Sequence, residues 1–393
     1  MPQTQARKAI VPMVDQVDRL DEVDRADAAA SIRCPVCGGT ANELKYGACR
    51  DLLYPTPGEF SLRFCRECGA YFCHPQITPD QFDTYYLASY YPSAEQIVQR
   101  QDPARLRNRV KFGLMRRFWG RGADTAASHA FREIASIMSG TLRITPKLSG
   151  NGRLLEVGCS SGEKLCALRH AGWMVDGIEP SRAASAEARK LGLNVQPRSL
   201  EEADLPAGYY DVIELSHVFE HLADPAASLA KLRDALATDG TIILNLPNAD
   251  SLGFKVFGRA WRGLEVPRHY AVYSRDSLSR LCSRLGLRIG AVRGLIAPDV
   301  VIGSMKFAMR EVRGSSRAAA QRSAVPAGVS CGSGYHPERR LKHLGGRAAR
   351  AVIAAALLAP ALLSMAEVMQ VEVKKMKNEE YSIHTDFPGF LTS

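Results

Sequence analysis

The chain of 393 residues carries 51 Lys and Arg against 41 Asp and Glu, for a formal net charge of +10, and 46% of its residues are hydrophobic. That length and apolar content allow two or three domains around a substantial core and exclude a broadly disordered chain. The charge is uneven: residues 99–122 hold eight Lys/Arg against one Asp, and residues 310–350 hold nine against two Asp/Glu, so the rest of the chain is slightly acidic. Segments of this kind attract anionic partners or simply form solvated faces.

The first thirty residues form a polar leader rich in Asp and Ala, without the apolar centre of a secretory signal. The most apolar tract, residues 351–366, is interrupted by Pro360 and falls short of the ~20 residues a spanning helix needs. A packed helix is expected there, in a cytoplasmic protein with no transmembrane segment. In that setting the ten cysteines argue against a disulfide framework.

Residues 31–80 open with Cys34-Pro35-Val36-Cys37-Gly38, and 27 residues after Cys37 intervene before Cys65-Arg66-Glu67-Cys68-Gly69. Two CxxC turns, each followed by glycine, supply four thiolates for a closed tetrahedral zinc site. A small zinc-ribbon domain with structural Zn²⁺ on Cys34, Cys37, Cys65 and Cys68 is therefore expected. Cys49, Cys73 and His74 fall outside the pattern. Residues 81–145 are expected as a helical linker, with tyrosines at 85, 86, 90 and 91 that either line an acceptor cleft or pack the ribbon on the next domain. Within the linker, Arg105 to Gly122 is an amphipathic basic stretch expected to bridge two domains, with peripheral membrane contact as the other reading. A Gly/Pro/Ser-containing boundary falls at residues 139–152.

The organising stretch is Arg153 to Ser181. An apolar run, Leu154-Leu155-Glu156-Val157, breaks into Gly158-Cys159-Ser160-Ser161-Gly162; a helix-like segment from Glu163 follows, and a second apolar run from Met174 to Ile178 ends at Glu179. This is a βαβ unit whose glycines let backbone approach a nucleoside and whose closing carboxylate suits ribose hydroxyls. Glu156 beside the loop disfavours a pyrophosphate and suits a cationic ligand. Further alternation follows: a helix over 182–190, a strand near Val195, a strand over 211–215, a helix over 225–236 and a strand over 241–245.

These blocks resemble the class I S-adenosylmethionine-dependent methyltransferases, with Ser160 standing where their first motif has its middle glycine. The resemblance implies a Rossmann-like, doubly wound α/β domain with a seven-stranded sheet whose last strand is antiparallel. It would span residues 146–310 and 347–378, with 311–346 as a basic flexible insert and 368–374 as the last strand. The implied cofactor is S-adenosyl-L-methionine. Its binding residues would be Glu156, Gly158, Cys159, Gly162 and Glu179, with Ser199 and Leu200 near the adenine and Ser216 and His217 near the methionine end. The N-terminal stretch is similar to the zinc-ribbon leaders of methyltransferases from sugar, polysaccharide and natural-product pathways.

Two further motifs bear on the acceptor. His217-x-x-Glu220-His221 lies where some quinone-pathway O-methyltransferases carry Glu-x-x-Glu-His and bind a divalent cation; His217 replaces the first Glu, and capping of the loop is the expected role. Pro267-Arg268-His269 lies in the segment that covers the acceptor in zinc-ribbon methyltransferases. Related sugar C-methyltransferases have Tyr and Glu where this chain has Val266 and Arg268, which argues against their mechanism. His269 is the candidate catalytic base. The expected reaction is O-methylation of a small-molecule acceptor, a sugar or secondary metabolite. Methylation of RNA or protein through the basic segments is the alternative, and a non-catalytic binding protein is a third reading. Nucleic acid is not the expected partner, and oligomeric state is left open.

Overall fold

The computed structural model describes residues 32–113 apart from 55, 79–80, 86–91, 103, 107 and 111, residues 152–321 apart from 296, and residues 365–376, with the backbone alone at 82–83 and 311–321. The expected leader at 1–30, most of the boundary at 139–152, the basic stretch beyond 113, the insert beyond 321 and the apolar helix up to 364 lie outside the described residues.

In chain order, strands β1 (Asn42–Cys49), β2 (Phe60–Cys65) and β3 (Tyr71–His74) are followed by helices α1 (Phe82–Tyr85) and α2 (Ala94–Gln101). Then come β4 (Arg153–Val157), α3 (Glu163–His170), β5 (Met174–Ile178), α4 (Arg182–Lys190), β6 (Asn194–Gln196), β7 (Tyr210–Ser216), α5 (Pro225–Ala235) and β8 (Leu236–Pro247). The last group is α6 (Leu252–Phe257), β9 (Ala271–Val272), α7 (Arg275–Arg284), β10 (Leu287–Leu295), α8 (Pro298–Gln321) and β11 (Val368–Lys375).

Seven of these strands form one sheet in the order β10-β11-β8-β7-β4-β5-β6. Strands β4 to β8 pair in parallel, and β11 runs antiparallel to both β8 and β10. The continuous apolar runs are explained by burial on both faces: Leu154, Leu155 and Val157 of β4 and Ile213 and Leu215 of β7 are all buried. This is a Rossmann-like, doubly wound seven-stranded sheet, with its last strand reversed as expected. Boundaries moved where pairing outran local pattern. β8 starts at Leu236, which faces Tyr210, and resumes in register at Thr241 against Val212. β10 extends to Leu295 because β11 pairs along its whole length.

Two features were not expected. First, residues 311–321 of the expected insert at 311–346 continue α8 as helix. Its Ala and Arg residues are good helix formers, and Phe307 and Ala308 anchor the preceding turns on Ala260. Second, the cysteine-bearing unit does not have a sheet of its own. β9, from the region after β8, adds antiparallel to β3 and completes a four-stranded sheet β1-β2-β3-β9. The core is continuous across the two parts, since Cys34, Cys65, Cys68 and Phe72 share one cluster with Leu278, Leu281 and Cys282 of α7. Among the described residues no helix is long and apolar enough to cross a membrane.

Candidate functional site

The site lies where β4, β5 and β7 end, at the edge of a parallel sheet where open α/β folds bind ligands. After β4 the chain turns through Gly158 and Ser160 to Gly162, all with positive φ. A Cβ on Gly158 would come within 2.4 Å of Val218 Cγ2, and one on Gly162 within 2.3 Å of Leu193 Cδ1. Ser160 adopts a left-handed conformation (φ 52°) that favours glycine, and it donates its N–H to Glu179 Oε2 at 2.8 Å. The other Glu179 oxygen accepts the Ser181 N–H at 2.9 Å. Burial raises the Glu179 pKa, and these two backbone bonds oppose the shift.

Glu156 is buried, and its Oε2 has no hydrogen-bond partner among the described residues. Burial pushes its pKa up to about 8; Lys164 opposes this, while Glu214 and Glu179 add to it. Glu214, its neighbour across β4 and β7, pairs with Lys164 and accepts Asn245 Nδ2 at 3.1 Å; Asn245 in turn accepts Gln370 Nε2 at 2.8 Å. A polar ladder thus runs under the loop from β11 to α3. Ser161 Oγ is also buried and unpartnered among the described residues. A loop that a Cβ would fill, with unsatisfied acceptor capacity beneath it, fits a cationic nucleoside.

The other expected donor residues divide. The Cys159 thiol is buried over Gly177 and its pKa is raised by burial, so only its backbone can line the loop. Leu200 is a core residue. Ser199 exchanges hydrogen bonds with Glu202, donating its N–H at 3.2 Å and accepting the Glu202 N–H at 3.4 Å. Ser216 ends β7, and His217 follows with φ 56° and its N–H bound to Asn245 O at 2.8 Å. Sequence reading did not foresee that α2 borders this site. Gln101 Nε2 donates to Glu163 O, and Ala94 N–H donates to Glu187 Oε2 at 2.7 Å. The capping box Ser93-x-x-Gln96 was the available signal for that helix. Phe112, in the basic stretch, stacks near His170 at the end of α3 (5.0 Å), in accord with the bridging role. Tyr85 packs within the N-terminal part, donating to Pro57 O at 2.9 Å and meeting Phe60 edge-on.

Beside this loop stands a second constellation. Glu220 Oε1 lies 3.3 Å from His217 Nδ1 and 3.9 Å from His269 Nε2. His269 Nδ1 faces Gly263 O at 2.8 Å, and His221 Nδ1 faces Arg268 O at 2.8 Å. The two imidazoles meet edge to face at 4.7 Å. Burial holds both histidines down at about 4, so both are neutral at pH 7. Burial alone would raise Glu220, but the His217 hydrogen bond and the surrounding imidazoles outweigh it and hold the carboxyl at about 2. Glu220 and His221 thus lie in the turn after β7, in contact with His217 and His269.

The His269 segment is held from the other end of the chain. Arg268, buried, makes a two-pronged pair with the buried Asp51 at 2.6 and 3.1 Å and lies over the Tyr54 ring. Asp51 also accepts the N–H groups of Leu53 and Tyr54. Nothing in the local sequence around Asp51 marks it. Next to it a cavity of about 320 Å³ is lined by Leu52, Leu53, Trp261, Val266, Phe307 and Glu265. Glu265, with φ 35°, also lies 3.9 Å from His269 Nε2. Ser160, His217 and Glu265 are three of the four non-glycine residues with positive φ among those described, and such strain persists where the surroundings over-determine it.

The four cysteines converge in the first sheet, with Cys34 Sγ to Cys68 Sγ at 3.7 Å and Cys37 Sγ to Cys65 Sγ at 3.5 Å. Sulfurs around a tetrahedral Zn²⁺ at ~2.3 Å lie roughly 3.7 Å apart, so the set fits that ion. Gly38 and Gly69 occupy matching left-handed positions (φ 76° and 78°), and Gly39 donates its N–H to Cys37 Sγ at 3.4 Å.

Residues 126–292 match the family model described as a methyltransferase domain. A ubiquinone biosynthesis O-methyltransferase of Aromatoleum aromaticum is 29% identical over 211 residues, covering 49% of this chain and 86% of that protein. An uncharacterized 37.1 kDa transposon protein of Streptomyces fradiae is 30% identical over 186 residues, covering 45% of this chain and 51% of that one. The chain thus matches about half the length of the Streptomyces relative. Among solved structures, a SAM-dependent methyltransferase from Archaeoglobus fulgidus aligns with TM-score 0.37 at 18% identity, covering 67% of this chain and 99% of that one. The matched segment and the Rossmann-like sheet support S-adenosylmethionine-dependent methyl transfer by this chain.

Proposed function

We propose that the chain methylates an oxygen atom of a small-molecule acceptor, a sugar or other secondary metabolite, in the cytoplasm, and that Cys34, Cys37, Cys65 and Cys68 hold a structural Zn²⁺. Glu156, the backbone of Gly158, Cys159 and Gly162, and Glu179 hold the cofactor, with Ser199, Leu200, Ser216 and His217 along its length. The carrying observation is His269: buried, neutral at pH 7 and oriented by Gly263 O, it stands with Glu220 beside the end of β7 and next to the cavity at Glu265. Support also comes from a relative named as an O-methyltransferase.

Bound S-adenosylmethionine supplies an electrophilic methyl group: the new C–O bond forms as the S–CH₃ bond breaks, its electron pair stays on sulfur, and the acceptor proton must leave. The protein's part is to align the acceptor oxygen and exclude water. His269 handles the proton, because its Nδ1 is committed to Gly263 O and its Nε2 is left toward Glu220 and Glu265, 3.9 Å from each. The cavity walls are mixed, apolar at Leu52, Leu53, Trp261 and Phe307 and charged at Arg50, Arg259 and Glu265, and suit an acceptor that carries both kinds of surface.

The test is transfer of labelled methyl from S-adenosylmethionine to a panel of catechols, phenols and sugars. His269→Ala is expected to lower kcat by roughly 10²-fold or more with cofactor affinity unchanged. Unchanged turnover at saturating substrates would remove His269 from the reaction. One Zn²⁺ per chain by elemental analysis is expected, and its absence from protein purified without chelator would remove the zinc assignment.

A further inference from the structure

The cavity next to Asp51 limits the kind of molecule that can enter it. At about 320 Å³ it lies at the lower end of the roughly 300–1,000 Å³ of small-molecule sites, with room for something about the size of one substituted ring. Three segments build it: the end of β1 with the loop that follows, the chain after α6, and α8. Leu52, Leu53, Ala260 and Phe307 from these segments share one apolar cluster. Arg50 and Arg259, close to them in sequence, both line the space.

The charges on that lining do not cancel. Glu265 is the single acid among the lining residues, against the guanidinium groups of Arg50 and Arg259. The Glu265 carboxylate is itself shared with Arg268, whose Nε lies 3.7 Å from its Oε2. Asp51 follows Arg50 in the chain but is turned to Arg268, to the Thr56 hydroxyl and to two backbone N–H groups. Glu59 reaches Arg50 at 3.5 Å, with both side chains largely exposed. Pairs of that kind contribute about 1 kcal/mol or less, so an incoming anion can displace Glu59 at little cost. A planar guanidinium presents paired N–H donors that match the oxygens of a carboxylate or a phosphate. The lining is also strained in two places: Ala48 (φ 49°) and Glu265 (φ 35°) are two of the four non-glycine residues with positive φ among those described. Strain of this sort clusters where ligands are held.

We propose that the acceptor is an acid: a small hydroxylated molecule whose carboxylate or phosphate group is bound by Arg50 and Arg259, while its hydroxyl lies toward Glu265 and His269. The hydroxyl half rests on the O-methylation reading; the anion half rests on the cavity alone. Arg50 and Arg259 select the acceptor and take no part in moving its proton. Their place in the chain also ties selection to the base. Arg50 precedes Asp51, and Asp51 holds Arg268, which precedes His269. An acidic group on Arg50 therefore sits one residue from the pair that anchors the His269 segment.

The test uses the full-length, zinc-loaded protein and pairs of acceptors that differ chiefly in charge. One arm compares 3,4-dihydroxybenzoate with its methyl ester, the other glucose 6-phosphate with glucose. In at least one arm, kcat/KM for the acid is expected to exceed that of its neutral partner by about tenfold or more, the equivalent of one charge-assisted hydrogen bond, with the difference carried by KM. A preference in the first arm alone assigns a carboxylate, and in the second alone a phosphate. The ratio of acid to neutral kcat/KM is expected to fall towards one in Arg50→Gln and Arg259→Gln. A wild-type ratio near one in both arms overturns the anion site without recourse to any variant, and so does a ratio that both variants leave unchanged. Binding of the two acids to the S-adenosylhomocysteine complex is followed in parallel by calorimetry, which needs no turnover. Acid binding that depends on the arginines, with no acceptor methylated, would support the anion site and sink the proposed function. Methylation of the neutral acceptors with no such binding would sink the anion site and leave the function standing, and failure of both acids to bind overturns the site whatever the turnover.

Discussion

On the proposed donor side, Glu156, Gly158, Gly162 and Glu179 come from one run of chain, a single strand–loop–helix–strand unit. On the proposed acceptor side, Asp51, Glu220 and His269 come from three distant segments, joined by the Asp51–Arg268 pair and by β9 lying against β3. The donor side is rigid because it is local, built on parallel strands with buried faces. The acceptor side is rigid only while the N-terminal sheet remains docked. One half can therefore be perturbed by a point change in a loop, and the other by a change far from the chemistry.

The strongest way to break the acceptor side alone is Asp51→Asn. Removing one partner of a buried ion pair costs roughly 3–5 kcal/mol, so a clear fall in melting temperature is expected. The acceptor KM should rise while S-adenosylmethionine affinity in the folded fraction stays unchanged; equal loss of both would show the two halves to be one unit. Gly158→Ala is the converse. Its Cβ would collide with Val218 at a left-handed backbone position, and such overpacking costs ~1–3 kcal/mol. Calorimetry should show cofactor affinity falling by an order of magnitude or more, with zinc content and the melting of the N-terminal sheet retained.

A third prediction sharpens the donor side through pH. The folded-state pKa of Glu156 is raised to about 8, so the protonated carboxyl favours the folded state. That contribution is complete below the ordinary carboxylate pKa and is lost as pH rises through about 8. The ligand-free protein should therefore melt at lower temperature at pH 9 than at pH 6, and Glu156→Gln should flatten the difference. A cationic cofactor favours the ionised carboxylate, so binding S-adenosylmethionine near pH 7.5 should release a proton. Titrations in buffers of different ionisation enthalpy would detect that release, and buffer-independent heats would exclude it. The smallest effect is expected from Arg100→Ala. Its bridge to Glu163 is solvent-exposed, and pairs of that kind contribute about 1 kcal/mol or less. A larger loss of cofactor affinity would mean that α2 closes over the donor.

What could be read from sequence follows the same division. The strand–glycine–helix–acid order from Arg153 to Glu179 stands in the chain in the order in which it acts, so the donor loop and the reversed last strand at 368–375 were legible. So were the paired CxxC-Gly turns, since their spacing is their geometry. Ser160 looked like a weakened motif because the chain alone does not show that Glu179 pins its backbone. Glu220 was legible as part of a motif, but its approach to His269 was not, because the contact depends on a tertiary turn after Trp261. Asp51 left no signal, since one acid in a loop resembles any other. The helix over 298–321 was missed because its composition of Arg, Ala and Ser resembles a linker, and its anchoring at Phe307 is made by distant residues.

Two residues, Ala271 and Val272, carry an implication for anyone re-engineering the enzyme. They are the strand by which the acceptor-side segment plugs into the cysteine-bearing sheet. The natural exchangeable cassette for altering acceptor choice is thus discontinuous. Residues 32–101 would have to travel together with 261–273, as a plug and its socket, whereas a cut at the apparent linker would leave the plug behind without its socket.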